Sequence, residues 1–144
     1  YFLIIAGTCW ESWSKYQAII DQHQLSGYIF HRDGFIDDRE VAYLFGASDL
    51  MVLPYKHFDA QSGVLALNFH YSLPVLVSNQ WWLVEVINDP DLIFESWNKE
   101  NLAKKVSYLF KLDILENKVI FLKKRSELFR WNNLIKLILL FYKK

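Results

Sequence analysis

Short apolar runs alternate along the chain with longer stretches whose apolar residues recur at helical spacing. Residues 2–6 (FLIIA) form a continuous apolar run ended by Gly7, the pattern of a strand buried on both faces of a parallel sheet. Residues 11–24 place Trp13, Tyr16 and Ile20 on one helical stripe, and Leu25-Ser26-Gly27 breaks it. A short strand is expected at residues 28–31. Asp37 and Asp38 then offer a cap and negative charge to a helix ending near Ala47, with Val41, Leu44 and Phe45 inward. Residues 50–54 (LMVLP) read as the next buried strand.

The second half repeats the alternation. A polar loop over residues 55–61 leads into Ser62-Gly63 and an apolar helix to about Tyr71. Residues 74–78 (PVLVS) predict a strand, residues 83–88 a short helix and residues 92–94 a short strand. Asn98 suits the cap of a helix with Leu102, Val106, Leu109 and Phe110 on its apolar face. Helical segments at 114–128 and 132–143 close the chain, the last with Leu134, Leu137, Ile138 and Phe141 inward. The order β-α-β-α-β-α-β-α-β-α-α implies right-handed crossovers and an α/β fold built on a doubly wound parallel sheet, with helices at the C-terminal end.

Composition refines this picture. With 144 residues, 53% hydrophobic and 17% aromatic, the chain can bury a sizeable core and is not disordered. Its formal charge of zero argues against whole-domain attraction to nucleic acid. The sum hides a split: residues 1–112 carry 8 basic and 13 acidic side chains, and residues 113–144 carry 8 basic and 3 acidic. The basic segment, including Lys123, Lys124, Arg125, Arg130, Lys143 and Lys144, is either a solvated helix face or a patch for an anionic membrane or acidic partner. A single cysteine, Cys9, forms no internal disulfide and fits a reducing, cytoplasmic setting. The apolar stretch at 137–142 is far short of the roughly 20 residues of a membrane span.

Doubly wound sheets bind ligands at the carboxyl ends of their strands. Those ends fall at residues 7–10, 32–36, 55–63 and 78–82. The third (PYKHFDAQSGV) holds the most chemistry, because Ser62-Gly63 opens a helix whose unpaired N–H groups and dipole suit phosphate. Simple capping by Ser62 is the competing reading. His57 is either a phosphate or sugar donor or a solvated loop residue, and Asp59 either accepts from sugar hydroxyls or caps a turn. His70 reads as a core histidine, and Trp81 and Trp82 either stack on a sugar or base or pack on a neighbour. Cys9 reads as inert. GxGxxG, GxxxxGK[ST] and GxSxG are all absent, so neither a dinucleotide fingerprint, a P-loop nor a hydrolase elbow is supported.

The segments FLIIAG, YIFHRDGFIDDREVAYLFGASDLMVLPY, QSGVLALNFHYSLPVLVSN, LVEVI and FRWNNLIKLILLFYKK together resemble the C-terminal, nucleotide-sugar-binding domain of family 4 (group 1) glycosyltransferases. The resemblance implies the Rossmann-like half of a GT-B fold over residues 1–112 and a helical extension over 113–144. The domain's first strand and helix, and an N-terminal acceptor domain of the same chain, would precede Tyr1, so these residues alone are expected to be inactive. It implies a retaining transfer from a UDP- or GDP-sugar, as substrate and not cofactor, to a saccharide or lipid-linked acceptor. No metal is implied. The location implied is cytoplasmic, with peripheral contact at the cytoplasmic membrane face left open.

By the same resemblance, Gln61, Ser62 and Gly63 would hold the diphosphate, and Arg32, Gly34 and Phe35 would border the base. Asp59 would stand as the donor-sugar carboxylate, Lys56 as a substitute phosphate cation and Glu85 where a glutamate is expected. The sequence departs from the family pattern in two of its places. Leu67 occupies the position of the ribose-binding carboxylate, and Trp81-Trp82 replaces a glycine pair. These departures motivate an alternative, a degenerate GT-B-like binding or assembly module.

Overall fold

All strand pairings are parallel. The computed structural model describes residues 1–57, 62–111, 113–128, 133, 135 and 139. They belong to two compact units, Tyr1–Leu44 and Phe45–Lys144.

In the first unit β1 (Leu3–Gly7) pairs with β2 (Ile29–Asp33), Leu3 opposite Ile29 and Gly7 opposite Asp33. The expected burial of β1 on both faces is not found: Leu3, Ile4 and Ile5 are exposed. Its one described strand partner is β2, and Ile20 is the single buried residue of the helix between them, α1 (Ser14–Gln22). That helix starts three residues later than the apolar pattern suggests. The Ser12 hydroxyl accepts from the Ser14 N–H at 3.4 Å and pairs with the Ser14 hydroxyl at 2.7 Å. Such local side-chain bonds compete with helical hydrogen bonds. The next helix, α2 (Asp38–Ala47), begins as expected, with Asp37 Oδ1 accepting from Arg39 N at 2.9 Å and Glu40 N at 2.8 Å.

The second unit is organised by a three-stranded sheet in the order β3 (Met51–Leu53), β4 (Val75–Ser78), β5 (Ile93–Phe94). Every residue of β4 is buried. Helices α3 (Gly63–Tyr71), α4 (Trp81–Ile87), α5 (Lys99–Leu109) and α6 (Ile114–Glu127) complete it, with a 3-10 turn at Pro90–Leu92. Leu53, Leu65, Leu76, Leu83, Ile87, Leu92, Phe94, Leu109 and Leu122 form one core with β4 at its centre. Asn98 caps α5 as predicted, its Oδ1 accepting from Asn101 N at 2.8 Å.

Three expectations are corrected here. His70 is exposed on α3, not a core histidine, and its ring meets the Tyr71 ring edge-on at 5.0 Å. Phe110 follows the end of α5 and leaves the buried stripe that Leu109 occupies. Trp81 and Trp82, just past the end of β4 at Ser78, already belong to α4, which starts two residues before the expected residue 83. Successive helix residues face about 100° apart, so Trp82 enters the core while Trp81 stays 73% exposed. The predicted face Leu134, Leu137, Ile138 and Phe141 lies outside the described residues, as do Arg130, Lys143 and Lys144. Among the described residues no helix is long and apolar enough to cross a membrane.

A charged cluster ties α6 to the turn before β5. Lys118 Nζ, nearly buried, donates to Asp89 Oδ2 at 2.7 Å and Asp91 Oδ2 at 2.8 Å. Asp89 Oδ1 accepts from Asp91 N at 3.0 Å, and Lys105 Nζ reaches the Pro90 carbonyl at 2.6 Å. Burial pulls the Lys118 ammonium down, but its hydrogen bonds to Asp89 and Asp91 outweigh that and leave its pKa above the ordinary value. The Lys118 hydrogen bond holds the Asp91 carboxyl below its ordinary range.

The lowered Asp91 value contributes stability above a pH of about 4 that is lost as pH falls through the folded pKa. The raised Lys118 value contributes stability below about pH 10.4 that is lost as pH rises through the folded pKa. Replacing Lys118→Met leaves the largely covered Asp89 carboxylate without its cation and costs about 2 kcal/mol at pH 7. Urea denaturation checks this. The deficit against the parent shrinks as pH falls below about 4, through the lowered folded value of Asp91.

Candidate functional site at the strand ends

In the first unit both strands leave through glycine. Gly7 has φ +132° and Gly34 φ +97°, values that side-chain-bearing residues rarely adopt. Between these ends Asp33 Oδ1 accepts from the Cys9 N–H at 3.0 Å. That amide holds the Asp33 carboxyl below its ordinary range. Arg32 forms a bidentate pair with Glu40 of α2, Nε to Oε1 at 2.7 Å and Nη2 to Oε2 at 3.1 Å, and also donates to the Asp33 carbonyl. Its guanidinium is therefore committed to joining β2 to α2. Phe35 is 83% exposed beside Gly34.

In the second unit the loops after β3, β4 and β5 are stitched together. Ser78 Oγ donates to the Tyr55 carbonyl at 2.7 Å. Gln80 Nε2 donates to the Lys56 carbonyl and to Ser96 Oγ, each at 3.0 Å, and Asn79 Oδ1 accepts from Ser96 N at 2.8 Å. The ammonium of Lys56 sits 4.0 Å from the centre of the Trp97 ring, and the His57 ring lies 6.1 Å from it. Three loop segments, one from each strand end, thus converge on one polar rim.

Ser62 supplies the start of α3. Its Oγ accepts from Leu65 N at 3.1 Å and lies 3.0 Å from the Tyr55 hydroxyl, and the residue is 6% exposed. The capping reading of Ser62 holds. Gly63 is exposed, and a Cβ there meets no described atom within 4 Å. The first-turn amides of Gly63 and Val64 have no intrahelical acceptor, by the geometry of any α-helix. Asp59 and Gln61 lie outside the described residues. Glu85 is exposed on α4, and its backbone carbonyl accepts from Arg125 Nη2 at 2.9 Å.

Arg32, Gly34 and Phe35 belong to the first unit, and Lys56, Ser62, Gly63 and Glu85 to the second. Within the second unit Lys56 joins the rim, while Glu85 stands along α4. Sequence reasoning placed Asn79 and Gln80 at a strand end without giving them a role, and passed over Ser96 and Trp97. The signal was available: residues 95–97 follow the fifth predicted strand, and a carboxyl end is where this fold class binds. It also passed over Asn68, an amide inside the apolar α3, buried and donating to the Leu73 carbonyl at 2.8 Å. Among the described residues no group of three or more His, Cys, Asp or Glu is placed to hold a metal ion.

No protein-family model and no curated protein matches the sequence significantly. Solved structures do match the fold. A glycosyltransferase from Rickettsia africae ESF-5 superposes with a TM-score of 0.81 at 19% identity, covering 99% of this chain and 39% of that one. Sucrose-phosphate synthase from Thermosynechococcus elongatus superposes with a TM-score of 0.75 at 15% identity, covering 99% of this chain and 37% of that one. The chain thus spans well under half the length of these neighbours. The class is thereby defined: a Rossmann-like α/β fold of the kind found within glycosyltransferases.

Replacing Ser62→Ala removes the α3 cap and the Tyr55 contact, and costs about 1 kcal/mol of stability. Thermal or urea denaturation reads this directly.

Proposed function

We propose that this chain is the donor-binding part of a glycosyltransferase, taking a nucleoside diphosphate sugar for transfer to a saccharide or lipid-linked acceptor. The observation that carries the reading is the start of α3, at the carboxyl end of β3, where a Cβ on Gly63 would meet no described atom within 4 Å. Amide groups and a helix dipole at that place favour a diphosphate. The structural neighbours support a role in glycosyl transfer. In this reading the diphosphate lies over Gly63, and Lys56 adds a positive charge from the neighbouring loop. Both act on the leaving group, whose negative charge grows as the glycosidic bond breaks. Retention of configuration and inactivity of the 144 residues by themselves belong to the same proposal.

A second reading, a binding module without transfer activity, is favoured by one observation. The Ser62 hydroxyl is used inside the fold, in the α3 cap and against Tyr55. Normal sugar transfer by a protein containing this chain would dispose of that reading.

Calorimetry with UDP and GDP tests the proposal, which predicts that one of them binds. Gly63→Asp is the matching variant. An added Cβ meets no described atom, and a carboxylate at a helix start is favourable for the helix. Folding is therefore kept while a negative charge enters the diphosphate position. Affinity falls by about tenfold or more, with the melting temperature unchanged or raised. Absence of binding by either nucleotide would overturn the proposal.

A further inference from the structure

The turn after β5 carries a residue that its backbone disfavours. Asn98 N donates to the Glu95 carbonyl at 3.2 Å, closing a four-residue turn, and Trp97 stands at its third position with φ +67°. A positive φ at that place is where turns carry glycine or asparagine, and a bulky residue there is an outlier. Burial does not repay the strain, because Trp97 is 67% exposed. Among the described residues, Lys56 lies over the face of its ring and the His57 ring is 6.1 Å away. An exposed cation–π contact is weak. A strained, uncovered tryptophan beside a cation, at the carboxyl end of a parallel strand, has the character of a ligand clamp.

We propose that Trp97 is a stacking platform for the sugar ring of a glycosyl phosphate, with Lys56 taking the phosphate oxygens. The ring's π face suits the apolar C–H face of a pyranose, and Lys56 and the ligand's anion form a charge-assisted hydrogen bond. Bound ligand replaces the ammonium on the ring and moves it to the phosphate. Gln80 keeps the two loops in register by bonding the Lys56 carbonyl and Ser96 Oγ. The choice of a glycosyl phosphate rests on the function proposed above. The stacking platform itself rests on the turn geometry.

The experiment titrates UDP, a UDP-hexose, GDP, a GDP-hexose and a hexose 1-phosphate into the full chain and its variants, following tryptophan fluorescence and calorimetry. Trp97→Gly relieves the backbone strain, so its melting temperature equals or exceeds the parent's. Its affinity for the sugar-bearing ligand falls about tenfold, while affinity for the bare nucleoside diphosphate changes less than about twofold. Trp97→Asn, which also tolerates the left-handed backbone, behaves alike, and Trp97→Phe recovers most of the binding. Lys56→Gln weakens every phosphate-bearing ligand.

Unchanged sugar-nucleotide affinity in Trp97→Gly overturns the inference and leaves the proposed function standing. Equal loss for the bare nucleotide overturns the assignment to sugar. A lowered melting temperature in both Trp97→Gly and Trp97→Asn overturns the strain argument, making the tryptophan structural. If no nucleotide binds but hexose 1-phosphate binds through Trp97, the platform stands and the nucleotide reading falls. If none of the ligands binds the parent chain, both fall.

Discussion

β4 lies between β3 and β5 with all four of its residues buried, and this burial orders the rest of the second unit. A strand enclosed on both faces and both edges must satisfy its polar groups within the protein. Val75, Leu76 and Val77 do so through the parallel ladder. Ser78, at the strand's end, is buried too and spends its hydroxyl on the Tyr55 carbonyl. Gln80 and Asn79 continue outward and bind the loops after β3 and β5. The demand for polar satisfaction at the end of a buried strand thereby assembles the rim on which Lys56, His57 and Trp97 meet. Function, in this reading, follows from where the core runs out of apolar residues.

The same constraint divides the labour among the helices. Trp82, Leu83 and Ile87 of α4 and Leu65 of α3 cover the sheet, and Leu109 and Leu122 bring in α5 and α6. The Lys118–Asp89–Asp91 cluster then anchors α6 to the turn before β5. Arg125 of the same helix donates to the carbonyls of Glu85 and Val86 near the end of α4. Two of the basic residues in the positively charged C-terminal segment are therefore structural cations. That gives part of its charge a role inside the fold, beside any surface role.

Strand and helix order was legible in the sequence because each element carries its own period: apolar runs at β3 and β4, and helical stripes at α5. The caps at Asp37, Ser62 and Asn98 were legible for the same reason, since the bond runs to an amide two or three residues away. What escaped was set by contacts between distant segments. Trp81 and Trp82 are indistinguishable in sequence, yet one is core and the other surface. Arg32, read as a candidate for the base region, is tied to Glu40, eight residues on. The exposure of β1 was equally hidden, because an apolar run reports what a strand can bury and not what covers it.

Local chemistry therefore determined the elements, their order, their caps and the phosphate-suited start of α3. Each depends only on residues within one or two turns of each other. The tertiary structure alone decided which loops share a rim, and it turned an ordinary-looking Trp97 into a strained, exposed ring beneath a lysine. The reason is physical: backbone sign and burial at residue 97 follow from how the turn after β5 is closed and from which loops β4 holds beside it. No pattern of residue types along the chain encodes that neighbourhood.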